Sequence, residues 1–590
     1  MTLELSVLKE CSIMNTKNKR FSYLVYATFL ISLFFLFIRA PYGWCFNDEP
    51  FIITLAQRLY NGDHLILDEW HPAQVFGPVL LPFYWVFRLF SADNTGVLLT
   101  FRYIYCVLWW GTCLVVFYVV KKHTNSALTA LCAFVYLILF SPLDNMTLSY
   151  TSIGLMCCLL LSCIILEVKE LSRKSEAALS VILSICATIL CLCSPYMAGV
   201  YILILIIAIC KRKKKHFKWG ENLFLIVTWS GCCSVLFFVI IILGLVRKEG
   251  ESWKTYLECI QMVVEDPEHM NTSILYGFKD CLIQLLKCNY AYSIVIGISI
   301  ACIFYKKGLR KIRFVLFLLN VFGYLYAEYC YLSNDVYVKL NQQMIDIALL
   351  GFVAFALLER KPWDLFAKFT ITGLIYTFMN YLASNTGIYA ISMTLSVCGV
   401  VSIVYIVKLC QELRRQYSDK KRLCFLVSLI CVGIMMTQFS CELFTKIVRQ
   451  YWDEEPAVLT ETIQVGAAKG LKTTLERKEE YEQQYEELKS LLDSVKERQG
   501  IRFVSFTASP IVYLDADLKF GTFTAWNFSY GNNYMTYLKK YEEIMHHSEE
   551  SIYYIREQKD IPDSFPTEHY EMLSAGEAAI FIPHEYRVST

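Results

Sequence analysis

Residues 21–38 read FSYLVYATFLISLFFLFI, a run without a single charge, and Lys17, Lys19 and Arg20 stand just before it. A helix needs about 20 mostly apolar residues to cross the hydrocarbon core of a bilayer. A secretory signal peptide has a similar look. Here no small-x-small cleavage pattern follows and many further apolar runs do, so the segment reads as an anchor. Those further runs fall at 97–120, 126–140, 150–167, 176–193, 196–210, 222–246, 289–305, 314–332, 342–358, 366–383, 388–407 and 423–440. The expected fold class is an α-helical polytopic membrane protein of about 13 transmembrane helices with a small extracytoplasmic α/β C-terminal domain.

Composition agrees with that expectation. Of 590 residues, 56% are hydrophobic and 18% charged, with a mean hydropathy of +0.42. A soluble domain carries roughly a quarter of its residues as charges, so this much apolar surface is expected to face lipid. The net charge of +2 and the lack of a basic face argue against a nucleic-acid partner. The 24 cysteines suggest a disulfide framework only until they are placed. Most lie inside apolar runs, as Cys157, Cys158, Cys191, Cys193, Cys232 and Cys233 do, and none has zinc spacing, so they read as small hydrophobes.

Lysine and arginine in the short loops orient the chain. Positive charge recurs in alternate loops, at Lys121–Lys122, Lys169 with Arg173–Lys174, and Lys211 through Lys215. The series continues at Lys306–Lys307 with Arg310–Lys311, Arg360–Lys361, and Arg414–Arg415 with Lys420–Arg422. The loops at 141–149, 194–195 and 384–387 carry none. This parity predicts a cytoplasmic N-terminus at 1–20, a membrane domain at 21–440 with a first outer loop at 40–96, and an extracytoplasmic domain at 441–590. Counting the short apolar stretch 75–90, with Pro78, Pro82 and Arg88, as a span would invert every later loop, so it is expected to lie in the outer interface. Residues 247–288 read as a polar outer loop long enough for a helix or two. In the tail, helices are expected at 474–499 and 533–545 and strands at 501–506, 552–555 and 578–582.

The densest polar cluster follows the first span: Asn47-Asp48-Glu49-Pro50, then Asp63-His64, then Asp68-Glu69-Trp70-His71-Pro72. Adjacent acids beside an apolar span carry a desolvation cost and so suggest a purpose. An acid before a proline-started helix is also an ordinary helix N-terminal signal. Capping needs one acid and leaves the other in water. The two readings are compatible, because a cap also fixes its carboxylate in space.

With Asn-Asp-Glu-Pro just outside the first span, an interfacial segment before the second, about 13 spans and an outer α/β tail, the chain resembles the GT-C glycosyltransferases. The likeness is nearest to the family 39 protein mannosyltransferases and the bacterial aminoarabinose transferases. It covers the first 120 residues best, through Asp48-Glu49 and the stretch from His71-Pro72 to Phe90. Elsewhere it is one of architecture. The resemblance implies a sugar donor linked to polyprenyl phosphate and an acceptor outside the membrane, a cell-envelope glycan or protein. It also implies inversion at the sugar, with Asp48 as general base and Glu49 assisting it or positioning a ligand. A phosphate leaves without protonation, so one base suffices if cations steady the departing charge. Arg58, Arg88, Arg102 and Lys339 are the candidates for that; for Arg102 the competing reading is snorkelling to headgroups.

Asp144 and Asn145, in the loop after the third span, are candidates to bind sugar, acceptor or metal by the same comparison, as are His71 and Glu328. An ordinary turn explains Pro142-Leu143-Asp144-Asn145 as well. Too few oxygen ligands assemble to require a divalent cation, and metal use stays open. Glu328 and Asp346 fall in or near spans, where acids are functional candidates. Tyr513-Leu514-Asp515-Ala516-Asp517 resembles short acidic motifs of sugar-nucleotide transferases, but no glycine-rich phosphate loop accompanies it. The tail is instead expected to bind acceptor or cover the site. Two other function classes stay open: a transporter or lipid flippase using Glu328, Asp346 and Arg102 as a path, and a non-catalytic scaffold.

Overall fold

The computed structural model describes residues 19–584 apart from 46, 141–145, 168–172, 213–217, 266–273, 288–289, 306–311, 334–341, 384–386, 449–452, 496–499, 529 and 546–549. The chain is mostly helical. Among the described residues seven helices are long and apolar enough to cross a membrane, or eight if one bent pair counts as a single span.

The helices that position the site are Lys19–Arg39 (α1), Asp48–Tyr60 (α2), Gly77–Phe90 (α3) and Val97–Thr124 (α4). Each of the other apolar runs also lies on a helix, but not every one has spanning length. Ala127–Leu139 and Gln342–Leu357 are among the shorter apolar helices. Conversely, the stretch read from charge parity as interfacial belongs to a helical segment, Pro72–Phe90, that meets the length and hydropathy criteria for a span. Both of its ends are nevertheless tied to the C-terminal domain. The Trp70 amide just before it donates to the Phe523 carbonyl, and Arg88 near its end pairs with Asp517.

The last apolar helix, Lys421–Val448 (α5), runs past the expected boundary at 440 and carries Glu442 and Lys446 as part of the bundle. Two helices follow α4 at a distance in sequence and matter below: Arg313–Ser333 (α6) and Gln342–Leu357 (α7).

The C-terminal domain holds a small antiparallel pair, Glu461–Thr462 (β1) with Lys472–Thr473 (β2), and a five-stranded sheet. Its strands are Arg502–Ser505 (β3), Lys519–Phe520 (β4), Ser551–Ile555 (β5), Tyr570–Ala575 (β6) and Ala578–Pro583 (β7), in the order β4-β3-β5-β7-β6. Strand β3 pairs in parallel with both neighbours, while β7 runs antiparallel to β5 and β6. Parallel neighbours require crossovers. Helix Ile511–Ala516 (α8) links β3 to β4, and Tyr534–Met545 (α9) brings the chain back across β3 to β5. Leu475–Asp493 (α10) packs on the hairpin strands through its buried Leu488 and Leu491.

Short segments escape sequence reading for physical reasons. Strand β6 is a half-exposed edge whose residues give no apolar run, and α8 has too few residues to express a helical period.

Candidate functional site

Adjacent acids on α2 have opposite surroundings. Glu49 is fully buried and takes both arms of the Arg102 guanidinium, Nε to Oε1 at 2.8 Å and Nη2 to Oε2 at 2.6 Å. The remaining Arg102 nitrogen donates to the carbonyls of Ala40, Tyr42 and Gly43. Arg102 therefore neither reaches headgroups nor offers a free fork to a phosphate. It locks the end of α1, the start of α2 and α4 into one body. Asp48 stands at the first turn of α2, half-buried. The helix N-cap is Asn47, whose side chain makes no capping bond, so Asp48 and Glu49 are first-turn acids rather than caps. Both favour the positive end of the helix dipole.

Arg58, near the other end of α2, is also committed. Its guanidinium pairs with Asp63 at 3.0 Å and Glu69 at 2.9 Å, donates to the Asp68 and Thr522 carbonyls, and lies over the Phe520 ring. The segment between α1 and α4 is thus folded around a buried arginine whose last donors reach the C-terminal domain. Burial pushes the Asp63 carboxyl up to about 6 against the pull of Arg58. Burial alone would raise Asp68 too, but hydrogen bonds from His64 outweigh it and hold that carboxyl low.

Arg88 pairs with Asp517 at 2.8 Å and donates to the Ala92 carbonyl, while Asn94 donates to Asp517 and to the Leu514 carbonyl. The acidic motif of the tail is accordingly a docking device. Asp517 holds Arg88. Asp515, buried, accepts from the Tyr481 hydroxyl and the Ala467 amide, and its burial lifts it to about 6. Gly466 sits beside it at φ +65°, where a Cβ would run into the Tyr481 hydroxyl.

Three of the four cations proposed for phosphate are therefore in structural ion pairs. Lys339, Asp144 and Asn145 lie outside the described residues. Among the described residues no group of three or more His, Cys, Asp or Glu side chains is arranged to hold a metal ion.

His71 caps a short 3-10 helix through Nδ1, which accepts from the Ala73 amide, and its ring meets Phe51 edge-on at 4.8 Å. Phe51 follows Asp48 by three residues, so the two share a face of α2. The Phe51 ring also lies 5.1 Å from Trp526, which the stretch Thr522–Trp526 carries along α2 from the end of β4. Asp48 thus shares its face with a ring in an aromatic group drawn from both the first loop and the tail. The sequence hinted at His71 but not at Trp526, whose contact with Phe51 joins segments far apart in the chain.

A second polar cluster lies in the helical bundle. Glu328 on α6, 1% exposed, has no nitrogen or oxygen donor for either carboxyl oxygen among the described residues and meets the Cys441 thiol instead. Asp346 on α7 and Glu442 and Cys441 on α5 act on it. Glu442 accepts from Gln438, which in turn accepts from the Tyr324 hydroxyl. Sequence reading missed Glu442 because it ended the last apolar run at 440. Arg39, at the end of α1, donates to the Lys446 carbonyl one turn further along α5.

No protein-family model matches the chain, and no curated protein matches it either.

Proposed function

We propose that the chain is a membrane glycosyltransferase that transfers a sugar, with inversion, from a polyprenyl-phosphate donor to a cell-envelope acceptor outside the membrane. Asp48 serves as the base. The observation that carries this reading is the division of labour between neighbouring acids. Glu49 is consumed by a buried bidentate arginine, a strong positioning contact. Asp48, fixed one residue away on the rigid helix, is half-buried on the face that also carries Phe51. A base must reach its proton donor within about 3 Å, and rigid placement favours that.

In this reading the chain crosses the membrane about 13 times, with the N-terminus inside and residues after α5 outside. The Pro72–Phe90 segment lies along the outer surface, because both of its ends are held by the outer domain and Trp85, Leu89 and Phe90 are exposed on it. Glu49 positions Asp48 rather than assisting in proton transfer. The donor phosphate is left to cations other than Arg58, Arg88 and Arg102. Lys339 stays a candidate.

A transport reading draws on Glu328, Asp346 and Glu442 inside the bundle. These acids sit within a few residues of one end of their helices, at positions 328 of 313–333, 346 of 342–357 and 442 of 421–448. A path across the membrane would need groups at the midplane.

The test is donor cleavage by purified protein in detergent, with a panel of polyprenyl-phosphate sugars and an envelope extract as acceptor. Wild type should release polyprenyl phosphate. Asp48→Asn, which keeps size and charge-free hydrogen bonding, should lower the rate about 100- to 10,000-fold. Near-normal release by Asp48→Asn would sink the assignment of the base.

A further inference from the structure

We propose that helix Trp253–Val264 (α11) lies on the outer leaflet, and that the partner of its exposed apolar stripe is the headgroup–acyl boundary of the bilayer. This rests on the membrane reading above, with residues 247–288 as an outer loop, and not on the sugar-transfer chemistry.

The sequence WKTYLECIQMVV carries two apolar stripes. Ser252 starts the helix by accepting from the Thr255 amide. Tyr256, Cys259 and Met262 are buried, and they belong to the apolar cluster that holds Trp70 and, from the C-terminal domain, Phe523 and Tyr541. Trp253, Leu257, Ile260 and Val264 follow one another at spacings of four, three and four, so they share a different side of the helix. All four are exposed, Trp253 at 83% and Leu257 at 65%. Packing on the domain needs only the first stripe. The second would stay in water at a cost unless something apolar covers it.

Hydrogen bonds set the level at which α11 lies. The Tyr256 hydroxyl donates at 3.0 Å to the carbonyl of Val246, the last residue of helix Lys218–Val246 (α12), and accepts from the Lys248 amide at 2.8 Å. Helix α12 presents Val235, Leu236, Val239, Ile240 and Leu243 outward, and directly after it the chain turns polar at Arg247-Lys248-Glu249-Gly250-Glu251. That change of character marks where α12 leaves the hydrocarbon. The middle of α11 is therefore pinned at the boundary. Its 12 residues reach only about 18 Å, too short to cross a bilayer but long enough to lie along one. Trp253 at its start is a residue type favoured at such interfaces. The Pro72–Phe90 segment, which follows Trp70 of the same cluster, also turns Trp85, Leu89 and Phe90 outward, and one lipid surface covers both. A protein partner of ordinary size uses about 20–30 residues a side, far more than this stripe offers. From 247 to 258 the cations Arg247, Lys248 and Lys254 are matched by Glu249, Glu251 and Glu258. Apolar burial, rather than attraction to anionic headgroups, therefore seats the helix.

The experiment places the full-length protein in phosphatidylcholine nanodiscs whose lipids are brominated near the headgroup end of the acyl chain. A fluorescent amino acid is introduced by codon suppression in place of Leu257, Glu258, Val264 or Leu243, one at a time. Bromolipid should quench the probe at Leu257 about twofold or more and leave that at Glu258 nearly unchanged. Leu257→Glu with Ile260→Glu changes only exposed side chains, so the fold is kept. The pair should restore roughly half of the fluorescence at Val264 and leave quenching at Leu243 as it was. Quenching at Leu243 without quenching at Leu257 would overturn the proposal while the membrane reading stands. Absence of quenching at both would overturn the two together. A probe at Leu257 that is shielded from bromolipid but responds to the number of protein copies per disc would assign the stripe to a second copy and overturn the proposal equally. None of these readouts uses sugar transfer, so failure of the base assignment leaves them untouched.

Discussion

The segment around α2 and the Glu328 cluster of the helical bundle treat buried charge in opposite ways. Around the first loop each buried arginine has an acid and backbone carbonyls, as Arg58 on α2 does with Asp63 and Glu69 and Arg102 on α4 does with Glu49. In the bundle, Glu328 has Asp346 and Glu442 about it and meets only the Cys441 thiol, with no cation paired to it among the described residues. Paired charges of the first kind organise a fold but cannot bind a ligand without being broken. Abundant cations near a candidate site are therefore poor evidence for phosphate binding until their partners are known.

The contrast can be broken first at Arg58. Arg58→Ala leaves Asp63 and Glu69 buried and unpaired, and should cost about 3–5 kcal/mol. Thermal unfolding in detergent, with proteolysis of the tail as a second readout, would reveal a detached C-terminal domain. A melting point unchanged from wild type would show that the tail docks by other means.

Asp515 gives the next effect. Its folded-state value of about 6 lies above the ordinary 3.8 because of burial. The folded protein therefore holds its proton more tightly than the unfolded chain. The contribution is full below about pH 4, is lost as pH rises toward about 6, and is flat beyond, a change of about 3 kcal/mol. Asp515→Asn should accordingly be more stable than wild type above pH 6 and match it near pH 4. A constant difference between the two across that range would contradict the assignment.

Arg88→Ala opens a pair that is partly solvated and should cost about 1–2 kcal/mol, seen as a modest fall in melting temperature. Replacing Asp517 by Asn should give nearly the same loss, and the double variant little more. Smallest of all, Glu328→Gln replaces an acid that has no cation beside it among the described residues, and stability should change by less than about 1 kcal/mol or rise. A large loss there would mean that Glu328 is ionised and paired.

Much of the helical frame is legible in the sequence, because an apolar run of spanning length announces itself without knowledge of its neighbours. The run from Phe21 to Ile38 lies within α1, and those at 97–120 and 150–167 likewise fall on long apolar helices. Pairing is not legible. Arg88 and Asp517 stand 429 positions apart, and Arg58 meets Thr522 across 464. Nothing local in either segment selects the other. The acids of the first loop were conspicuous for the same reason that they misled. Asp63 and Glu69 flank Arg58, Glu49 pairs with Arg102, and Asp68 pairs with His64. Trp526 carried no signal at all, as its position against Phe51 depends on the whole crossover from β4.

The central claim is that Asp48 and Glu49 divide chemistry from positioning. Asp48→Asn and Glu49→Gln should be purified side by side, and both polyprenyl-phosphate release and melting temperature measured. The account predicts that Asp48→Asn stays folded, losing less stability than Glu49→Gln, and is inactive, whereas Glu49→Gln is clearly destabilised by loss of its ion pair with Arg102 yet retains turnover in its folded fraction. A stable, inactive Glu49→Gln beside an active Asp48→Asn would contradict it.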